Sequence, residues 1–314
     1  MSKALVIIKS MGIGDLCILI SNIHAISQKI NKPVKILAQK NTCATAIFEN
    51  DHHVDEVIEL DAKEIKGFFN IIKKIKPENF DQSYIFSDSI RFYLISKLSG
   101  IKKNFQYSFF SKKGKNFFKT AKEFTEKVLN TKTDPQSKIF CDKNNIEIAK
   151  KKFNISNTTK NIVCGISASG PTKRWDINNY IKLFEKINSQ FKCKFFIAGG
   201  PDDEDLIKKV MNSSIGNLCI SFSKMKIGET LPIISACQYY IGNDTGWGHI
   251  SSGLNLKSLF LFMDSPPSAY GVYSKNISII VPEGETIETC GHNTRGKNKI
   301  PIDKVLNRFL KLIN

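Results

Sequence analysis

Tyr239-Tyr240-Ile241-Gly242-Asn243-Asp244-Thr245-Gly246-Trp247-Gly248-His249 is an apolar, strand-like run that passes at once into a carboxylate, a hydroxyl, two glycines and an imidazole. A helix-like stretch follows from Ile250 to Leu256, then a second apolar run, Ser258-Leu259-Phe260-Leu261-Phe262. This is strand–loop–helix–strand order, with the polar loop at the carboxyl end of a strand. In open α/β sheets ligands bind there, where a helix N-terminus offers free N–H groups and a positive dipole to phosphate. Gly246 and Gly248 are expected to let the backbone approach a ligand, with Asp244, Thr245 and His249 supplying polar contacts. An ordinary βα turn capped by Asp244 or Thr245 also accounts for the stretch.

The amino terminus carries a matching element. Ala4-Leu5-Val6-Ile7-Ile8 has the unbroken apolar character of a strand buried on both faces of a parallel sheet. It runs into Lys9-Ser10-Met11-Gly12-Ile13-Gly14-Asp15, and then into an apolar-periodic helix from Leu16 to about Ile30. Gly-x-Gly without a third glycine is a weak dinucleotide signal, and the next predicted strand, Val34 to Ala38, ends in Gln39 and Lys40 with no acid. A dehydrogenase is disfavoured. Asp15 falls in the first helical turn, facing whatever binds over the glycines; a carboxylate there also complements the helix dipole.

A third loop has the same setting. The strand Asn161 to Ile166 precedes Ser167-Ala168-Ser169-Gly170-Pro171-Thr172-Lys173-Arg174-Trp175, and a helix opens at Asp176, a predicted cap. Hydroxyls and two cations between a strand and a helix suit a pyrophosphate, although such a Lys-Arg pair is commonly just solvated. Cys193 to Ala198 gives the next strand, which ends in Gly199-Gly200.

Taken in order, these residues resemble glycosyltransferase family 9, the lipopolysaccharide heptosyltransferases. The matching elements are the Gly12–Asp15 loop, the hydroxyl-rich loop closing in Lys173-Arg174-Trp175, Gly199-Gly200, the turn around Lys224-Met225, and Asp244-Thr245-Gly246 followed by His249. The resemblance runs from residue 3 to about 310. It implies an α/β chain of GT-B architecture, two Rossmann-like domains facing across a cleft, here assigned to residues 1–155 (acceptor side) and 156–314 (nucleotide sugar). It also implies inverting, metal-independent glycosyl transfer without a cofactor. Asp15 matches the family's catalytic base, and Lys173 is the leaving-group partner. Ser169, Gly199, Gly200, Lys224, Met225, Asp244, Thr245, Gly246 and His249 are assigned to the donor, and Ser10, Gly14 and Arg91 to the acceptor. The family precedent for the donor is ADP-heptose, and the acceptor would be an anionic glycolipid or glycan of the lipopolysaccharide-core type. This chain departs from the pattern at Trp247-Gly248, where the family carries smaller or proline-containing residues. A sugar-nucleotide epimerase of the same architecture and a non-catalytic nucleotide-sugar-binding protein are the other readings.

Composition is compatible with this. A chain of 314 residues is long enough for two cores, and 41% hydrophobic with 24% charged residues is ordinary for a globular protein. No apolar run approaches the ~20 residues of a membrane span, and the eight cysteines are scattered without metal-ligand spacing. A cytoplasmic protein is expected, with peripheral contact at the inner face of the inner membrane. The net charge is +17, nearly all of it lysine, since arginine occurs only at positions 91, 174, 295 and 308. Lysine concentrates in the first half, including Lys112-Lys113-Gly114-Lys115. Compositional bias explains this, or a basic surface that attracts an anionic membrane or glycolipid. Nucleic acid is not expected, because no reading module is present. The Phe- and Lys-rich stretch 104–135 reads either as a core helix with a surface loop or as an acceptor or membrane flap.

Overall fold

The computed structural model describes residues 3–9, 12–107, 116–292 and 300–313. Ser10, the Lys112–Lys115 cluster and Arg295, all singled out in the sequence, lie outside these residues. The chain divides into two compact units, Met1–Phe140 and Cys141–Asn314.

The first unit runs β1 (Ala4–Ile8), α1 (Ile13–Ile30), β2 (Val34–Gln39), α2 (Ala44–Phe48), β3 (Val54–Leu60), α3 (Phe68–Ile75), β4 (Gln82–Phe86), α4 (Ile90–Leu98), β5 (Lys103–Gln106) and α5 (Phe117–Leu129). Its five strands are parallel in the order β3-β2-β1-β4-β5. β1 is fully buried along its length, which is why it is apolar at every position rather than at alternate ones. Helix α1 stops where Asn31 adopts the left-handed conformation (φ 51°) and returns its N–H to the last turn. β5 carries no strand signal, because an edge strand paired on one side tolerates the polar Lys103-Asn104-Phe105-Gln106. The rest of the described Phe-rich stretch is α5, which packs on α1 through a face with buried Ala121, Thr125 and Leu129.

The second unit runs α6 (Lys143–Lys152), β6 (Lys160–Gly165), α7 (Ile177–Asn188), β7 (Cys193–Ala198), α8 (Glu204–Met211), β8 (Cys219–Ser221), α9 (Ile227–Ser235), β9 (Tyr239–Asn243), α10 (Gly246–Gly253), β10 (Lys257–Leu261), α11 (Pro267–Tyr270), β11 (Ile277–Ile280) and α12 (Ile302–Ile313). Its six parallel strands are ordered β11-β10-β9-β6-β7-β8. The division between the units falls ahead of α6, which packs on α9. Asp176 caps α7 as its sequence predicts, accepting a hydrogen bond from the Asn178 amide at 2.8 Å. All eight cysteines are free, and burial pushes the Cys193 and Cys290 thiols up to about 11. Among the described residues no helix is long and apolar enough to cross a membrane.

In each sheet the chain leaves its first strand to one side and later returns to the other. The resulting switch points, β1/β4 and β6/β9, are where strand ends and helix starts diverge and leave room for a ligand. The second is packed unusually closely. Gly165 and Gly242 face each other in register, and a methyl on Gly242 would come within 2.5 Å of the Gly165 carbonyl oxygen. The Tyr240 ring covers the same spot, its hydroxyl 2.0 Å from where a Gly165 methyl would stand. Gly242→Ala should therefore cost about 1–3 kcal/mol in urea unfolding, since the clash is with backbone. Gly170→Ala, at φ −167° with nothing within 4 Å of the new methyl, should be near neutral. Equal effects would show that the strands separate to admit the methyl.

Candidate active site

The carboxyl ends of β6 and β9 are joined by one side chain. Asn243, fully buried at the last position of β9, accepts the Trp175 amide at 3.0 Å and donates to the carbonyls of Ile166 and Ser167, both at 3.1 Å. It pins both ends of the 166–175 loop to the strand that leads into Asp244. Trp175 is held from its other side, where its indole N–H donates to the Ile300 carbonyl at 2.9 Å. Asn243 carries no role in the sequence reading. Its signal was an amide interrupting an apolar strand end, where burial demands a full set of partners.

Asp244 and His249 meet. Asp244 Oδ1 lies 3.1 Å from His249 Nε2, and Asp244 Oδ2 accepts the Ser265 hydroxyl at 2.7 Å. The other ring nitrogen of His249 is 2.9 Å from the Tyr273 hydroxyl; the ring stacks on Tyr273 and stands edge-on to Phe260. Both side chains are thus engaged in holding the loop to the ends of β9 and β10 and to the segment beyond α11.

This frame presents the start of α10. Thr245 is its N-cap residue but makes no side-chain capping bond; its hydroxyl lies 3.3 Å from that of Tyr240 instead. The amides of Gly246 and Trp247 have no acceptor among the described residues, so the helix dipole and two N–H donors face outward. Gly248 has a packing role that the sequence does not reveal: a methyl there would fall 2.6 Å from Phe260 and 2.9 Å from Tyr240. Trp247 is half-buried and packs on Phe222, whose ring lies 5.8 Å away and which leads into the Lys224-Met225 turn. The aromatic departure in the sequence therefore joins two of the predicted donor elements.

The 167–175 loop closes the other side. Ser169 is exposed, while Lys173 is half-buried and makes no ion pair among the described residues. Arg174, by contrast, is structural. Its guanidinium donates to the Ala168 carbonyl at 3.2 Å and pairs with Asp203 at 3.4 Å. Asp203 in turn accepts the Gly200 amide at 3.0 Å, which fixes the diglycine turn. Gly199 sits against Asp203 and Ile207, where a side chain would crowd both. Lys224 is exposed on its turn, with Met225 N–H closing back to the Phe222 carbonyl at 2.9 Å.

In the first unit, Gly14 and Asp15 lie in the first turn of α1, after an extended Gly12 N-cap. Arg91 lies in the first turn of α4, after β4, the strand beside β1. Asp15 and Arg91 therefore start from adjacent strand ends at the β1/β4 switch point. One Arg91 Nη is buried and has no hydrogen-bond partner among the described residues. Gln106 on β5 donates to the Ser87 and Ser89 carbonyls at 2.8 and 2.9 Å, which fixes the turn that carries Arg91.

Asp244 and His249 should behave as one unit. A double-mutant cycle with Asp244→Ala and His249→Ala in urea is expected to give an interaction energy of about 0.5–3 kcal/mol. Strict additivity would mean that their 3.1 Å contact does not hold the loop.

Comparison with known proteins bears on the fold and the family. A family model described as glycosyltransferase family 9 (heptosyltransferase) matches residues 70–299. Lipopolysaccharide heptosyltransferase 1 of Campylobacter coli is 22% identical over 293 residues, covering 84% of this chain and 85% of that protein. Lipooligosaccharide heptosyltransferase 2 of Haemophilus influenzae is 26% identical over 156 residues, 48% of this chain, and the match spans only 45% of that protein's length. The solved structure of E. coli ADP-heptose lps heptosyltransferase II has the same fold, with a TM-score of 0.75 at 17% identity, covering 99% of this chain and 98% of that one. With two parallel-sheet α/β units of that fold and the family model matched over well more than half its length, the chain belongs to glycosyltransferase family 9, the heptosyltransferase family.

Proposed function

We propose that this glycosyltransferase moves a heptose from ADP-heptose to an anionic glycolipid or glycan of the lipopolysaccharide-core type, with inversion and without a metal. The observation that carries the donor half of this reading is the start of α10, two unpaired amides on a dipole held at a topological switch point. The nucleotide is proposed from the E. coli relative, an ADP-heptose lps heptosyltransferase. The donor's diphosphate rests on the Thr245–Trp247 backbone and on Lys173, with Ser169 adding a hydroxyl, and the adenine lies by Lys224, Met225 and the Trp247 ring.

In the reaction the acceptor hydroxyl oxygen attacks the anomeric carbon as the bond from that carbon to the diphosphate oxygen breaks. Asp15 takes the hydroxyl proton, and the electron pair leaves on the diphosphate. General-base assistance of this kind contributes about 10²–10⁴-fold. Lys173 and the α10 amides meet the charge that develops on the leaving group, the role a divalent cation would otherwise fill. Arg91, with its buried unpaired nitrogen, is proposed to meet an acceptor phosphate or carboxylate. The proposed setting is the cytoplasmic side of the inner membrane.

Asp15→Asn should lower kcat by about 10²–10⁴-fold with little change in ADP affinity. Lys173→Ala should weaken both, and activity should persist in EDTA. Near-normal transfer by Asp15→Asn would overturn the base assignment; a thermal shift larger with UDP than with ADP would overturn the nucleotide. Sugar-nucleotide turnover without acceptor would favour epimerisation.

A further inference from the structure

The outer face of α4 departs from what burial requires. Phe92, Ile95 and Ser96 pack inward. Ile90, Leu94 and Leu98 recur at four-residue steps, so they stack along the opposite side. They are 59%, 45% and 56% exposed. The helix is apolar on both faces, and its core contacts account for only one. Phe69, on the α3 helix that packs beside α4, is 73% exposed. Single exposed aliphatics are normal, but a continuous stripe of three on one short helix marks an interaction surface.

The flanking charge identifies the occupant. At 100° per residue, the exposed Lys97 falls beside Ile90 on one edge of the stripe. α4 contains no aspartate or glutamate, and the exposed Asp88 before its start is outnumbered by exposed Lys97, Lys102 and Lys103. Aliphatic side chains bordered by cations fit the boundary between acyl chains and anionic headgroups. A second copy of this chain, docked by two-fold symmetry on the same face, would bring like charges together instead.

We propose that α4 seats this protein on an anionic lipid bilayer, with Ile90, Leu94 and Leu98 entering the headgroup–acyl boundary and Lys97 reaching the headgroups. The helix lies flat, about 13 Å long. It begins at the same sheet edge as Asp15, because β4 and β1 are neighbours. The surface gains its use from the proposed transfer to a lipid-anchored acceptor, but lipid binding itself requires neither donor nor acceptor.

The test is co-sedimentation of the full chain with phosphatidylglycerol-containing vesicles and with pure phosphatidylcholine vesicles. The wild type should bind the anionic vesicles preferentially. The triple variant Ile90→Ser, Leu94→Ser, Leu98→Ser should lower that partition by about tenfold or more. Its melting temperature and ADP affinity should be unchanged, since the three side chains are exposed. Lys97→Gln should weaken binding only at low salt. Unchanged vesicle binding by the triple variant would overturn the proposal. So would self-association of the wild type, by sedimentation velocity, that the triple variant abolishes while still binding vesicles. Failure of the transferase reading would show separately, as an Asp15→Asn variant that binds vesicles and still transfers sugar.

Discussion

The second unit's site depends on the carboxamide of Asn243. Parallel sheets fix their strands by backbone hydrogen bonds, but the loops beyond the strand ends are not fixed by the ladder. Here one buried amide spends its acceptor on Trp175 and both donor hydrogens on Ile166 and Ser167. Each bond nets only about 0.5–1.5 kcal/mol, yet leaving such groups unmet in the interior costs more, so the set holds together or fails together. The 166–175 loop and the Asp244 loop are thereby fixed relative to each other.

Close packing beneath the site keeps that frame rigid. Gly165 against Gly242, with Tyr240 over both, leaves no space for a side chain at the β6/β9 switch point. Tyr240 also donates to the Asn243 carbonyl at 2.8 Å, which ties the packed layer to the polar one above it. Asp244, His249, Ser265 and Tyr273 form a second tier of contacts. With its neighbours occupied in this way, α10 can present first-turn amides without a capping side chain in front of them. In the proposed transfer those amides meet the diphosphate of the donor.

Much of this was legible in the sequence, for identifiable reasons. Central parallel strands such as β1 and β9 are buried on both faces and so read as unbroken apolar runs. The loops around Asp15, Lys173, Gly199 and Asp244 stand out because glycine, hydroxyl and charge follow those runs directly. β5 was hidden because an edge strand needs little apolar character. The packing role of Gly248 was hidden because a glycine required for helix-on-sheet packing looks, in sequence, like one required for a ligand. Arg174 and Asn243 look like ordinary loop and strand-end residues until their partners, far off in the chain, come into contact.

The central claim is that Asn243 organises the nucleotide side of the site. Isothermal titration of ADP into the wild type and into Asn243→Ala and Asn243→Ser, each shown to be folded by near-ultraviolet circular dichroism, tests it directly. The account predicts that ADP affinity falls by about tenfold or more in Asn243→Ala, the equivalent of ~1.4 kcal/mol, with a smaller loss in Asn243→Ser. Wild-type affinity in a folded Asn243→Ala protein would contradict it.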